Sequence, residues 1–338
     1  MKFQTLGQSG LVISRLCLGT MIFGEQNARG ADEKTSAAMI DAYIEAGGNF
    51  IDTADVYVGG VSEEIVGRAL KKHKRSQIVL ATKVRMPMGN GPNDLGLSRK
   101  HIIEGCEASL KRLDVETIDL YYVHLWDPLT PLEETLRALD DLVAAGKVRY
   151  IGVSNFKAWQ LMKALSLSDC MGYSRFIAAQ YQHSLVTRDI EREFSELFIE
   201  ENVGEVVWGP LGGGFLSGKY KKGDKPKEGR ISITPNHAEE AWQRRSIEHN
   251  WKILDALGEI AEARGASYSQ IALAWLLAKS EVASIIIGAR TMAQLHDNLG
   301  AADLELTEEE MTQLDTVSQI EQGYPYRMIE AYGARNLD

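Results

Sequence analysis

From residue 15 onward the chain repeats one figure: a short apolar run ending in polar residues or glycine, then a longer segment with apolar residues three and four apart. The short runs read as strands buried on both faces, the longer ones as amphipathic helices. Strands are predicted over 15–19, 49–53, 78–83, 118–124, 148–153, 176–180, 205–208 and 283–287. Helices over 33–46, 62–72, 98–113, 131–145, 158–167, 188–201 and 291–299 alternate with them. Their ends carry the expected punctuation: Ser98 as a cap, Pro131 in a first turn, Gly47 and Gly48 as a stop. A hairpin over 3–13 precedes the first unit, its alternation interrupted by Gly7-Gln8-Ser9-Gly10. A long irregular loop, 221–249, follows the seventh strand, with helices over 250–264 and 269–279 behind it. Thr307-Glu308-Glu309-Glu310 is a capping box opening a last helix, 307–318, and the tail 319–338 shows no clear periodicity.

Eight strand-then-helix units describe a parallel sheet covered by helices, and eight strands close into a barrel. A doubly wound open sheet would want Gly-x-Gly-x-x-Gly after its first strand, where this chain has Leu18-Gly19-Thr20-Met21-Ile22-Phe23-Gly24. The expected fold is therefore α/β, a (β/α)8 TIM barrel with an N-terminal β-hairpin and extra C-terminal helices, with 1–338 as a single barrel.

Length alone, 338 residues, would allow two domains, so the barrel assignment is what argues for one. Hydrophobic residues at 44% and charged ones at 25% are ordinary for a globular chain. A net charge of −10 without a basic run makes nucleic acid a poor partner. No window approaches the ~20 apolar residues of a membrane span, and Met1-Lys2-Phe3 does not open a secretory signal. Cys17, Cys106 and Cys170 are far apart, which suits buried thiols in a reducing cytoplasm better than disulfides or a zinc site. No metal is expected, and self-association as a homo-oligomer is left open.

In a barrel the carboxyl ends of all strands converge on one mouth, so listing those ends assembles a candidate site. They supply Asp52 with Tyr57 just beyond it, then Lys83, His124, Ser154 with Asn155, Gln180, Trp208 and the approach to Arg290. Singly, each has an ordinary structural explanation; a Lys, a His, an Asp and a Tyr at one mouth point to chemistry. Lys83 ends an apolar strand, where an unpaired charge is costly, so Asp52 on the adjacent strand is its expected counter-ion. An ammonium beside a phenol favours the phenolate and is expected to lower the Tyr57 pKa from about 10. Tyr57 then reads as a general acid aimed at a carbonyl oxygen, with His124 bonded to that oxygen or joined to the proton relay. No side chain delivers the hydride that such a carbonyl needs, so a nicotinamide cofactor is implied.

Gly47-x-Asn49-x-x-Asp52-Thr53-Ala54-x-x-Tyr57, Ser62-Glu63, Thr82-Lys83, His124 and Gly152-Val153-Ser154-Asn155 together resemble the aldo-keto reductases. The likeness runs from Gly7 to about Leu314 and is nearest to bacterial and fungal NAD(P)-dependent members with a long loop after strand seven. It implies Asp52, Tyr57, Lys83 and His124 as a catalytic tetrad that reduces an aldehyde or ketone reversibly. It also implies that Ser154, Asn155 and Gln180 hold the nicotinamide carboxamide while Trp208 stacks on the ring. Pro210, Leu211 and Gly213 fall in a segment resembling the pyrophosphate-crossing loop, and Gly19 and Thr20 border the cofactor. Gly288, Arg290, Thr291, Gln294 and Asn298 resemble the adenosine-holding segment, with Arg290 and Thr291 on a ribose 2′-phosphate. NADP(H) is the expected preference, with NAD(H) as the alternative because Gln294 and Gly288 stand where NADPH-committed members have basic residues. His183, where the family often has Tyr, and Gly209 are further departures.

Met21, Phe23 and Trp126 are expected to line the substrate side, with 86–97 and the tail residues Tyr324, Tyr326 and Tyr332 as further candidates; their apolar character suits a bulky carbonyl compound or sugar-like ketone. The competing expectation is a cofactor-binding auxiliary subunit, as in family members that serve ion channels, which would carry an added interaction arm.

Overall fold

The computed structural model describes residues 1–25, 30–227, 229–236 and 241–333, apart from the Ile233 side chain. Parts of the predicted loop (228 and 237–240) and of the tail (334–338) lie outside the described residues.

β1 (Phe3–Thr5) and β2 (Val12–Ser14) pair antiparallel with Phe3 opposite Ser14. The next eight strands are β3 (Leu16–Gly19), β4 (Phe50–Asp52), β5 (Val79–Val84), β6 (Ile118–Val123), β7 (Val148–Ser154), β8 (Phe176–Gln182), β9 (Gly204–Trp208) and β10 (Val282–Ile287). They close into a barrel in the order β10-β3-β4-β5-β6-β7-β8-β9, every neighbouring pair parallel. Helices cover it outside, so the expected (β/α)8 barrel with its N-terminal hairpin and C-terminal helices is the fold of the chain.

Because strand side chains alternate, each strand feeds two cores. Cys17, Phe50, Val79, Ala81, Leu120, Tyr122, Ala178 and Val206 fill the barrel interior, joined by Leu6 and Ile13 from the hairpin. The hairpin closes the amino-terminal end of the barrel, where the Gln8 N–H donates to Asn202 O at 2.7 Å. The outward-facing residues pack beneath the helices in the larger core, which includes Leu18, Ile51, Leu80, Val84, Val123 and Val207. Tyr122 can lie flat across the interior because its neighbour on β7 is Gly152, where a Cβ would stand 2.4 Å from the ring.

Three segments depart from the pattern reading. The predicted helix 188–201 is split into a 3-10 turn, Asp189–Arg192, and a helix, Phe194–Glu200. Glu191 is drawn inward to His183 at 2.9 Å and to Arg188 at 2.7 Å, which tightens the first turn and breaks the helix at Glu193. The loop after β9 contains short helices, Arg230–Ile233 and Trp242–Arg245, anchored by buried Ile231 and Trp242. In the tail, read as aperiodic, a helix forms over Tyr326–Tyr332, with Tyr326 Oη donating to Glu193 at 2.7 Å.

Candidate active site

The alternation that fills the interior also builds the mouth. One strand step of two residues beyond Phe50, Ala81, Tyr122, Ala178 and Val206 are Asp52, Lys83, His124, Gln180 and Trp208. All five therefore face the barrel axis at its carboxyl end. Lys83 is fully buried and its three donors are all used: Asp52 Oδ2 at 2.6 Å, Thr53 O at 2.7 Å and Tyr57 Oη at 3.2 Å. The second carboxylate oxygen of Asp52 accepts from Gln180 Nε2 at 2.8 Å. Thr20 ties the end of β4 in place, donating from both its N–H and its hydroxyl to Asp52 O at 3.0 Å. Tyr57 then enters on the turn that follows, its ring edge-on to His124 with centroids 6.0 Å apart.

Burial works against a charged Lys83, but Asp52 and Tyr57 more than offset it, and the ammonium's pKa stands above its usual value. For Tyr57 the balance runs the other way. Burial raises the phenol's pKa and Lys83 only partly counters it, so the expected net lowering does not occur and Tyr57 is a neutral hydroxyl at pH 7. The physical reason is that Lys83 shares its charge with Asp52, whose own charge raises the phenol again. Burial, with Lys83 and Arg85 behind it, pushes His124 down to about 3, leaving a neutral imidazole. Its Nδ1 is enclosed with no hydrogen-bond partner among the described residues.

Behind Tyr57 lies a second buried polar cluster that the pattern reading did not separate from the motif. Glu63 accepts from Thr82 Oγ1 at 2.5 Å and from Arg112 Nε at 2.6 Å. Burial and the Glu63 charge push Asp55 up to about 7, and its Oδ2 has no hydrogen-bond partner among the described residues.

On the β7–β9 side, Ser154 Oγ donates to Gln180 O at 2.7 Å, and Asn155 Nδ2 donates to His124 O at 2.9 Å and to Ser154 Oγ at 2.8 Å. Gln180 thus spends an amide hydrogen on Asp52. Trp208 is half-buried at the end of β9, its Nε1 enclosed and without a described partner. Pro210 is buried, Leu211 and Gly213 are half-buried, and the turn Gly212–Ser217 places Gly213 and Gly214 at φ 71° and 90°. Beyond it, Lys219 and Arg290 approach closely enough that burial and the Arg290 charge lower the Lys219 pKa. Neither has a carboxylate partner among the described residues.

Arg290 is exposed just before the helix Met292–Leu299, while Gln294 Oε1 accepts its N–H at 2.8 Å. Asn298 is buried and donates to Gly288 O at 3.3 Å, so both amides are already engaged locally. Gly19 is needed for packing, since a Cβ there would stand 2.5 Å from Ile286 Cγ2. Two uncompensated cations beside open glycine backbone, on a chain of net charge −10, fit a phosphate-bearing cofactor.

On the substrate side Met21 is exposed, and Trp126 is half-buried, packed edge-on against Phe156 at 5.0 Å and beside the exposed Trp159 at 6.1 Å. Phe23 is a correction: it is wholly buried in the outer core and bridged to Ala31, so it offers no surface to a substrate. Tyr324 and Tyr332 stand exposed on the outer tail. Arg85, Trp159 and Arg230, whose charge reaches Tyr57, are not singled out by the sequence pattern; only Arg85 carries a signal, its two-residue offset from Lys83.

A phenol, an ammonium paired with a carboxylate, and a neutral imidazole at one barrel mouth define a carbonyl–alcohol oxidoreductase that uses NAD(P)H. The chain belongs to the aldo/keto reductase family, whose model matches residues 15–319. It is 37% identical to a probable voltage-gated potassium channel subunit beta from Oryza sativa subsp. japonica, covering 94% of this chain and 97% of that protein. It is 36% identical to the uncharacterized oxidoreductase YrpG of Bacillus subtilis (strain 168), over 94% of this chain and 96% of the other. Norsolorinic acid reductase stcV of Emericella nidulans is also 36% identical, over 94% of this chain and 81% of its own length. Among the described residues no helix is long and apolar enough to cross a membrane, and no three His, Cys, Asp or Glu side chains gather as a metal site would require.

Proposed function

We propose that Tyr57 is the general acid and base of a reversible NADPH-preferring reductase of bulky aldehydes or ketones. The observation that carries this reading is Lys83 Nζ, 2.6 Å from Asp52 and 3.2 Å from Tyr57 Oη. Bound at the mouth, NAD(P)H supplies the hydride for the carbonyl carbon. Tyr57, kept neutral by burial, gives its proton to the carbonyl oxygen, and the adjacent Lys83 stabilises the phenolate left behind. Neutral His124 orients the same oxygen by donating a ring N–H. Asp52 holds Lys83, and Gln180 holds Asp52, rather than either touching the substrate.

Ser154, Asn155 and Trp208 would hold the nicotinamide end, and the 211–219 turn with Lys219 the pyrophosphate. Arg290 and Thr291 would take the 2′-phosphate, because a guanidinium pairs bidentately with phosphate. Exposed Met21 and half-buried Trp126 offer apolar surface that suits a bulky carbonyl compound, and the fungal relative is named as a reductase of norsolorinic acid.

Tyr57→Phe tests the reading. NADPH affinity should stay within about two-fold while turnover falls roughly 10²–10⁴-fold; undiminished turnover would remove Tyr57 from the acid role. The likeness to the rice protein favours a second reading, an auxiliary subunit that holds cofactor with little turnover. An added arm does not separate the two, since this chain matches 97% of that relative's length. A panel of aldehydes and ketones followed by NADPH absorbance does.

A further inference from the structure

Arg85 is a cation near the reacting groups that the reduction chemistry leaves without a task. It follows β5 directly, two residues beyond Lys83, and sits half-buried and close enough to the site that its charge reaches His124. The neighbouring strand is pinned beside it, with the His124 N–H donating to Val84 O at 2.9 Å. Its own carbonyl accepts the Gly96 N–H at 2.9 Å, so the residue is fixed between the β5 end and the loop that follows. It is held there at φ 130°, a conformation that a side-chain-bearing residue adopts only under strain. Its Nε is enclosed and makes no hydrogen bond, and no guanidinium nitrogen pairs with a carboxylate among the described residues.

Asp127, the acid whose charge it feels, is already committed to Leu97 N at 2.8 Å, Thr130 Oγ1 at 2.7 Å and Leu129 N at 3.1 Å. The cofactor phosphates do not answer for this cation. In the barrel order β5 lies diametrically opposite β9 and three strands from β10, so Arg85 is well separated around the mouth from the β9 and β10 loops that carry Lys219 and Arg290. Strain stored at a mouth residue and an enclosed donor without a partner both mark a group waiting for a ligand.

We propose that Arg85 binds an anionic substituent, a carboxylate above all, on the carbonyl substrate, and so sets this enzyme's preference for acidic aldehydes or ketones. The assignment rests on the reductase reading of the same site and deepens it. Planar carboxylates match the guanidinium fork, and the apolar Trp126 wall one strand away accommodates the carbon skeleton between the two ends.

The test compares 4-carboxybenzaldehyde with its methyl ester, which differ in charge and little in shape. For the unaltered protein kcat/KM is expected to favour the acid by roughly 10–100-fold, the range of a charge-assisted hydrogen bond. In Arg85→Met that ratio should fall to about one, whatever happens to the common rate, and Arg85→Lys should recover part of it. A second arm measures binding of 4-(hydroxymethyl)benzoate and its methyl ester to the enzyme–NADPH complex by tryptophan fluorescence, so the charge preference is read even without turnover. No preference in the unaltered protein, or an unchanged preference in Arg85→Met, overturns the proposal. Absence of reduction for every carbonyl compound, with the binding preference intact, would instead sink the reductase reading and leave Arg85 as an anion site.

Discussion

The buried pair at the heart of the mouth makes a sharp energetic prediction. Lys83 and Asp52 are both shielded from water, and their 2.6 Å contact is supported by Gln180 on one side and by Thr53 O and Tyr57 on the other. Removing one member strands the other as an uncompensated charge, which costs about 3–5 kcal/mol. Lys83→Met leaves the Asp52 carboxylate with Gln180 as its remaining described side-chain partner, and Asp52→Asn leaves the ammonium with a carbonyl and a phenol. In the double variant no charge remains buried. Its loss reduces to the unmade bonds at Thr53 O and Tyr57, roughly 1–3 kcal/mol in all. The two single losses then sum to about 6–10 kcal/mol against a much smaller double loss, a coupling of at least about 3 kcal/mol. Urea denaturation of the four proteins, compared at equal m, measures it. Additivity within about 0.5 kcal/mol would refute the reasoning that these charges exist to compensate each other. The double variant should fold well and still reduce nothing, because Tyr57 has lost the ammonium that stabilises its phenolate.

Two further tests address other parts of the molecule. Arg290→Ala should weaken NADPH about 10–100-fold in a fluorescence titration and leave NADH nearly unchanged, whereas equal losses for both would remove the 2′-phosphate assignment. His183, bonded to Glu205 at 3.0 Å and Glu191 at 2.9 Å, is raised to about 9; burial opposes the charge but the two carboxylates overcome it. A histidine with a folded pKa above its unfolded value, about 6.5, stabilises fully below the unfolded value and loses that contribution as pH rises through the folded one. The stability gap between the natural protein and His183→Gln should therefore be widest near pH 6 and shrink by on the order of 3 kcal/mol by pH 10. A gap that does not move with pH would mean the imidazole is neutral throughout.

What the residues specify on their own is what depends on neighbours along the chain. Alternation and helical spacing mark the eight units, because burial on one face imposes a period that survives in the sequence. The same period placed Asp52, Lys83, His124, Gln180 and Trp208 at one mouth, since closing a parallel sheet brings all strand ends to one side. Quantities that sum over the whole surroundings were not legible. The pairing of Lys83 with Asp52 could be anticipated from adjacent strands, yet the direction of the Tyr57 pKa depended on how far burial outweighs a charge that is itself neutralised. Gln180 reaches Asp52 across the barrel, from a residue far along the chain, and no spacing rule announces that. Phe23 sits on a mouth loop by its number but turns into the core, and Glu191 breaks a helix to reach His183. Arg85 stands just past the end of β5 in the sequence; only the packed mouth shows that its backbone is strained and its Nε enclosed without a partner. The chain's local grammar decides which elements form and which way each side chain first points. Long-range contact alone decides which charges are compensated, because compensation is a property of everything within a few ångströms rather than of the next residue.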